Sequence, residues 1–164
     1  MSTIPDFDRY VYLQTDSAWQ SLNPQFGALG CGVCCAASIA SYKENAAITP
    51  SVLRQRGVFT STDMTTIWNN ASDLFNFSGY QYLDNDVGGV AEIRKQVDTY
   101  RDPVVVRVWG NSSGSIAHFV VAYGYTGSGT TRWDIKVMDP LRGLCTLGDT
   151  MTSFPIYKYI YTIY

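Results

Sequence analysis

The residues best suited to covalent chemistry are a cysteine between two glycines and the single histidine of the chain. Cys31 lies between Gly30 and Gly32, and the small, apolar residues 32–42 after it predict a buried helix. A cysteine attacks as the thiolate, which a helix N-terminus stabilises through unpaired N–H groups and the positive end of the helix dipole. Those N–H groups can also hold a developing oxyanion. The pattern therefore predicts a nucleophile at Cys31.

The histidine, His118, begins an apolar predicted strand at residues 117–126, after a Gly/Ser-rich loop. A Gly-rich turn separates it from a second strand at 131–139, so the two strands predict a hairpin. The start of one hairpin strand lies beside the end of the next, which places Asp139 near His118. A carboxylate there can orient the imidazole as a general base for Cys31. Each residue also has a structural interpretation, His118 as a hydrogen-bonded core residue and Asp139 as a turn initiator before Pro140.

The elements that must position these residues divide into a helical first half and a β-rich second half. Helices are predicted at 32–42, from Thr49-Pro50 to about Arg56, at 63–75 and at 89–100. Strands are predicted at 10–14, 103–109, 117–126, 131–139 and 157–164. This order predicts an α+β fold with a largely antiparallel C-terminal sheet. With 164 residues, 46% of them hydrophobic and 16% charged, the chain is expected to form one domain over residues 1–164.

Composition excludes several classes of protein. The formal net charge is −2 and no basic patch is visible, which argues against nucleic acid as a partner. No apolar stretch is long enough to cross a bilayer, so no membrane association is expected. The N-terminal residues lack a basic leader with an apolar run after it. The protein is therefore expected to be cytoplasmic as synthesised, with export or injection by a dedicated machine left open.

Five segments, in this order, resemble the bacteriocin-leader (double-glycine) peptidases and their free-standing relatives in the papain-like cysteine peptidase superfamily. They are QTDSAW at 14–19, GCGVCCAASIASY at 30–42, PVVVRVW at 103–109, AHFVVAYGYTG at 117–127 and DIKVMDPL at 134–141. The resemblance implies a papain-like fold, in which a helix with the nucleophile at its N-terminus packs on a C-terminal antiparallel sheet. It also implies a thiol protease that cleaves a peptide or amide bond through a thioester acyl-enzyme, without a metal or organic cofactor.

The same resemblance implies a catalytic triad of Cys31, His118 and Asp139, with a glutamine side chain in the oxyanion hole. Gln14 is favoured for that role because it begins the Trp-containing segment, and Gln25, six positions before Cys31, is the alternative. Two positions depart from the family pattern, Val33 in place of proline and Ala117 in place of glycine. Neither departure removes a reacting group.

Four other interpretations remain open. Cys31 and Cys34 have thioredoxin-like Cys-x-x-Cys spacing, although a loop rather than a strand precedes them. Cys31, Cys34, His118 and Cys145 are residue types that bind zinc. The chain could also be a non-catalytic binding module, or the same triad could catalyse deamidation or acyl transfer.

The partner predicted from the resemblance is a protein or peptide substrate. A self-contained peptidase of this kind is expected to be an effector or toxin first, and a processing enzyme second. No sequence feature indicates an oligomeric state.

Overall fold

The elements follow the predicted division, with most helices first and most of the sheet last. The computed structural model describes residues 2–65, 67–82 and 86–163. The helices are α1 (Phe26–Leu29), α2 (Cys31–Glu44), α3 (Pro50–Gln55), α4 (Ile67–Asn70), α5 (Asp86–Lys95) and α6 (Leu147–Met151). The strands are β1 (Ser2–Thr3), β2 (Phe77–Tyr82), β3 (Val104–Trp109), β4 (Ala117–Tyr125), β5 (Ile135–Asp139), β6 (Gly143–Thr146) and β7 (Ile156–Ile163). The chain therefore has an α+β fold.

The strands of the described residues form one antiparallel sheet. Six of them follow the order β2-β7-β3-β4-β5-β6, and β1 pairs with β4. β3 and β4 pair along their length, so that Trp109 at the end of β3 lies opposite Ala117 at the start of β4. β4 also pairs with β5, with Val121 opposite Met138. Because β4 and β5 are antiparallel neighbours, the start of β4 lies near the end of β5.

The long helix α2 is buried along most of its length because its residues are small. Ten consecutive residues, 32–41, are buried, and the helix packs against β4. Its two buried serines have hydrogen-bond partners in the flanking loops. Ser38 Oγ donates to the carbonyl of Tyr10 at 2.5 Å, and Ser41 Oγ donates to that of Ile48 at 3.0 Å. Tight packing and satisfied polar groups therefore hold α2, with Cys31 as its first residue, against the sheet.

The strand predicted at residues 10–14 is wrong. The backbone groups of this segment form hydrogen bonds with α2 and with the loop after β5 instead of with another strand. Tyr10 accepts from Ser38, and the backbone N–H of Gln14 donates to the carbonyl of Pro140 at 2.8 Å. Aromatic and polar alternation suggested a strand, but long-range contacts determine the conformation here.

The helix predicted at 63–75 is reduced to one turn, α4, and residue 66 lies outside the described residues. Polar side chains on both sides of α4 hydrogen-bond to nearby loop groups. Asp63 Oδ1 accepts from the backbone N–H of Thr65 at 2.8 Å, and Asn70 Nδ2 donates to the carbonyl of Val58 at 3.1 Å. Such bonds compete with helical hydrogen bonds, which explains the short helix.

The strand predicted at 131–139 begins only at Ile135. Asp134 Oδ2 accepts from the backbone N–H groups of Thr130 and Thr131, at 3.0 and 3.1 Å. These bonds fold the residues before β5 into a turn, which is a common use of aspartate.

The remaining predicted elements are confirmed, with small shifts at their ends. The side chain of Thr49 caps α3 by accepting from the N–H of Val52. The helix predicted at 89–100 corresponds to α5 and the π-helical turn Gln96–Tyr100 that continues it. The predictions at 103–109, 117–126 and 157–164 correspond to β3, β4 and β7, and residue 164 lies outside the described residues. Sequence patterns did not indicate β1, β2, β6, α1 or α6.

The core lies between α2 and the sheet. Its fully buried side chains come from the N-terminal segment, the helices and the central strands, and they include Phe7, Ile39, Ile93, Val106, Val121, Met138 and Ile160. None of the helices in the described part of the chain is long and apolar enough to cross a membrane.

Candidate active site

Cys31 lies where α2 begins, at the position predicted for a nucleophile. Its side chain is half-buried and lines a groove. Gly30 separates it from α1, and a Cβ at Gly30 would lie 2.5 Å from the carbonyl oxygen of Phe26. Only glycine therefore fits this close turn between the two helices. The turn places Cys31 at the positive end of a helix of 14 residues.

His118 and Asp139 form a buried pair. His118 is the second residue of β4, and Asp139 is the last residue of β5. The Nε2 atom of His118 lies 2.7 Å from Oδ1 of Asp139, and the two side chains are 2% and 1% exposed. The hairpin formed by β4 and β5 produces this contact, as the sequence pattern predicts.

The sulfur of Cys31 is close enough to the imidazole of His118 to influence its ionisation. Since Nε2 faces Asp139, Nδ1 is the ring nitrogen left for the thiol. Burial lowers the pKa of His118, but the hydrogen bond to Asp139 and the interaction with Cys31, together with their negative charges, outweigh it and raise the pKa from 6.5 to about 9. By linkage, this contribution to the free energy of unfolding is complete below pH 6.5 and is lost as pH rises through about 9.

The carboxylate of Asp139 has two further hydrogen-bond donors, which the sequence did not indicate. Oδ1 accepts from the backbone N–H of Leu141 at 2.8 Å, and Oδ2 accepts from the hydroxyl of Thr150 at 2.6 Å. Burial raises the pKa of Asp139, but His118, Thr150 and Leu141 together lower it below its ordinary value. Asp139 is therefore held ionised and in a fixed orientation behind the imidazole.

One face of the imidazole is covered by Phe154. The two ring centroids are 4.7 Å apart and the ring planes differ by 20°, which is a stacked arrangement. The contact limits rotation of His118 and excludes water from that face. Sequence reasoning missed both Thr150, which lies in α6, and Phe154, which follows that helix. The spacing of Thr146 and Asp149, which form a capping box in the structure, could have indicated the start of α6.

The two glutamines proposed for the oxyanion hole differ in environment. Gln14 is buried and lies between the loop after Asp139 and the helix before Cys31. Its Nε2 donates to the carbonyl of Gly27 at 3.0 Å, which leaves one amide hydrogen for another acceptor. Gln25 is exposed at the start of α1.

The other cysteines have environments unlike that of Cys31. Cys34 and Cys35 are fully buried within α2, and burial raises the pKa of both thiols well above the ordinary value. The sulfur of Cys35 donates to the carbonyl of Phe119 at 3.4 Å. Cys145 is half-buried beside Thr150, and burial raises its pKa to about 11. The thiols of these three cysteines are therefore poorly placed to ionise.

The residues considered for a zinc site do not come together. Among the residues that the structure describes, no three His, Cys, Asp or Glu side chains are grouped so that they could hold a metal ion. Cys31, Cys34, His118 and Cys145 therefore do not form a zinc site.

A groove of about 440 Å³ opens at the sulfur of Cys31. The helical part of the chain contributes one wall, with Met64, Ile67 and Trp68. The sheet contributes the other, with Arg107, Phe119 and Tyr161. Its size suits a segment of a peptide or a small molecule beside the nucleophile.

The fold is similar to that of the Salmonella effector SpvD. Two variants of this effector match with TM-scores of 0.52 and 0.54, at 13% and 12% sequence identity, and each match covers 97% of this chain and 76% of the effector chain. No protein-family model and no curated protein matches the chain. At this level of identity the similarity shows a shared fold.

The raised pKa of His118 is directly measurable, because the chain contains one histidine. In proton NMR spectra recorded across neutral and alkaline pH, its ring signals are expected to titrate with a midpoint of about 9. Cys31→Ala and Asp139→Asn each remove a group that raises this pKa, so each variant should titrate at lower pH. A midpoint near 6.5 in the wild-type protein, unchanged in Cys31→Ala, would contradict the described contacts.

The hydroxyl of Thr150 is expected to stabilise the fold through Asp139. Thr150→Val should lower the free energy of unfolding by about 1–3 kcal/mol, because valine has the same shape but leaves a buried carboxylate oxygen without its donor. Thr152→Val is the matched control, since the hydroxyl of Thr152 donates to the carbonyl of Asp149 at the surface. Urea denaturation should show a change within about 0.5 kcal/mol for the control. Equal losses in both variants would count against the role of Thr150.

Proposed function

We propose that the protein is a papain-like cysteine hydrolase, formed by a single domain over residues 1–164, that cleaves a peptide or amide bond in a protein or peptide. The proposal depends on one observation, the buried His118–Asp139 pair with the sulfur of Cys31 as its electrostatic neighbour. The groove at that sulfur and the five sequence segments that resemble papain-like peptidases support it.

Acylation begins from an ion pair, a thiolate on Cys31 and an imidazolium on His118 in which Nδ1 holds the proton of the thiol. The thiolate attacks the carbonyl carbon of the substrate and forms a C–S bond. The resulting oxyanion is held by the backbone N–H of Cys31 and the second amide hydrogen of Gln14. His118 then donates its proton to the leaving nitrogen as the C–N bond breaks. The products are a free amine and a thioester on Cys31.

Deacylation uses the same groups in reverse. His118 removes a proton from water, which attacks the thioester carbonyl, and the sulfur leaves as the thiolate. The acid product departs, and the proton stays on His118. Throughout both steps Asp139 keeps the hydrogen on Nε2, so that Nδ1 always faces the reaction. Phe154 keeps the ring in the same plane.

The environment of Cys34 favours this proposal over a dithiol mechanism. A resolving cysteine must attack a mixed disulfide on Cys31 as a thiolate. Cys34 is fully buried, and burial raises its pKa well above the ordinary value. Its burial and its raised pKa both make Cys34 a poor nucleophile for a disulfide on Cys31.

Selective alkylation tests the site. Brief treatment with iodoacetamide, followed by mass spectrometry, is expected to modify Cys31 much faster than Cys34, Cys35 or Cys145, because Cys31 alone combines an accessible sulfur with an imidazole partner. A peptide library digested by the same protein should then show which bonds are cleaved. Equal labelling of Cys31 and Cys34, or a reversible disulfide between them, would contradict the proposal and favour the dithiol.

We further infer that the protein acts as an exported or injected effector. The support is the fold that it shares with the Salmonella effector SpvD. The active protein, but not Cys31→Ala, is then expected to generate new N-termini in lysates of candidate target cells, as measured by proteomics. Identical profiles for the two proteins would contradict this role.

A further inference from the structure

The groove beside Cys31 contains an arginine that forms no ion pair with the acidic residues described by the structure. Arg107 extends from β3, and its guanidinium carbon lies 5.4 Å from the centroid of the Phe119 ring. Its Nε is buried without a hydrogen-bond partner. Within the described part of the chain, no acidic side chain forms an ion pair with it. A buried donor without an acceptor is costly. Arg107 lines the groove, so its positive charge is available to a ligand bound there.

The surroundings of Arg107 favour a carboxylate over a neutral acceptor. The neighbouring groove residues include Met64, Ile67, Trp68 and Phe119, which are apolar. Charges attract each other more strongly in such surroundings than at an exposed surface. A guanidinium also presents a planar pair of N–H groups that matches the two oxygens of a carboxylate.

The position of Arg107 limits where the carboxylate lies in a substrate. Arg107 and Cys31 line the same groove of about 440 Å³. A side chain bound there must therefore belong to a residue near the bond that Cys31 attacks. The formal net charge of the chain is −2, so the protein as a whole would not attract acidic peptides. A preference for them has to come from this local cation.

We propose that the groove selects substrates with a glutamate or aspartate at one of the two positions before the bond that Cys31 attacks, with the carboxylate bound by Arg107. This inference rests on the proposed function and adds the class of substrate to it. Arg107 is a specificity-determining residue in this scheme and takes no part in bond cleavage.

Peptidyl vinyl sulfones test the preference independently of amide cleavage. The sulfur of Cys31 adds to the vinyl group, a proton is taken up at the adjacent carbon, and no group leaves. Matched probes carry Glu or Gln at the first or second position before the electrophile. In the wild-type protein the Glu probe should label Cys31 about tenfold faster at one of these positions, which is the effect of one charge-assisted pair.

Variants of Arg107 should change this ratio without changing the thiol. Arg107→Gln is expected to reduce the ratio to about 1, whereas Arg107→Lys should retain part of the preference because it keeps the charge. Arg9→Gln is the matched control, since Arg9 is a surface arginine, 64% exposed and paired with Asp6. It should keep the wild-type ratio. Equal rates with iodoacetamide in all four proteins would show that the site is intact.

Failure of this inference is distinguishable from failure of the proposed function. Equal labelling by the Glu and Gln probes in the wild-type protein, or a ratio unchanged in Arg107→Gln, overturns the acidic preference. Cleavage of peptides without an acidic preference retains the hydrolase and rejects the role of Arg107. A Glu preference in labelling without cleavage of any peptide retains the acidic groove and rejects the hydrolase.

Discussion

Cys31→Ala is expected to lower kcat/KM for a cleaved peptide by at least about 10⁴-fold, while the protein remains folded. In the proposed mechanism the sulfur forms the acyl bond, and alanine has no atom that can replace it. Alanine is well tolerated in a helix, and Cys31 is half-buried, so little packing is lost. The measurement is the initial rate with the best library peptide, beside a urea denaturation curve for each protein. Retained turnover in Cys31→Ala would contradict the mechanism.

Cys34→Ala is the matched control, because it removes the same side chain one turn later in α2. Cys34 is fully buried, so its loss should lower the free energy of unfolding by about 1 kcal/mol. It should leave kcat/KM unchanged, since the proposed hydrolytic steps do not involve this thiol. Loss of activity in Cys34→Ala as well would instead indicate that both sulfurs take part, as a dithiol requires.

His118→Ala is expected to lower kcat/KM by roughly 10²- to 10⁴-fold, the usual contribution of a general acid–base group. The pH dependence should change with it. In the wild-type protein His118 stays protonated up to pH about 9, so activity should fall as pH rises through that value and the imidazolium is lost. The residual activity of His118→Ala should instead increase with pH, because the thiolate then forms only by ionisation of an unassisted thiol. The measurement is a pH–rate profile for each protein.

Two further variants separate the role of His118 from its packing. Alanine leaves the buried carboxylate of Asp139 without its main partner, which destabilises the fold. His118→Gln can still donate to Asp139 and should lose the same activity in a more stable protein. Asp139→Asn keeps an orienting side chain but removes the charge that raises the pKa of His118. Its activity should therefore fall at lower pH than that of the wild-type protein. If the activity of Asp139→Asn fell at the same alkaline pH as that of the wild-type protein, the electrostatic role of Asp139 would be contradicted.

Local patterns were sufficient for the elements that carry the proposed reacting groups. The run of small residues after Gly30 predicts a buried helix that begins at Cys31, because only small side chains allow a helix to pack closely along its length. The alternating strands on either side of the turn at residues 126–129 predict the hairpin that brings His118 to Asp139. Both inferences depend on neighbours in the sequence, which is why both agree with the structure.

Local patterns failed where distant groups supply the hydrogen bonds. Residues 10–14 alternate like a strand, but their backbone groups form hydrogen bonds with the side chain of Ser38 and the carbonyl of Pro140. Residues 63–75 have helical spacing, but only one turn, Ile67–Asn70, is helical, and the side chain of Asn70 bonds to the loop at Val58. These hydrogen-bond partners lie far away in the chain, so the residues of the segment itself do not reveal them.

By itself the sequence determined which residues could react and which elements hold them, since helix starts and hairpins follow from short-range periodicity and turn chemistry. The tertiary structure alone decided that α2 packs on β4, so that the sulfur of Cys31 reaches the imidazole of His118. It also brought Thr150 and Phe154 against the pair and placed Arg107 in the groove, without an ion pair to any acidic side chain in the described ranges. These contacts join residues far apart in the chain, and only the packing of side chains in the folded core determines them.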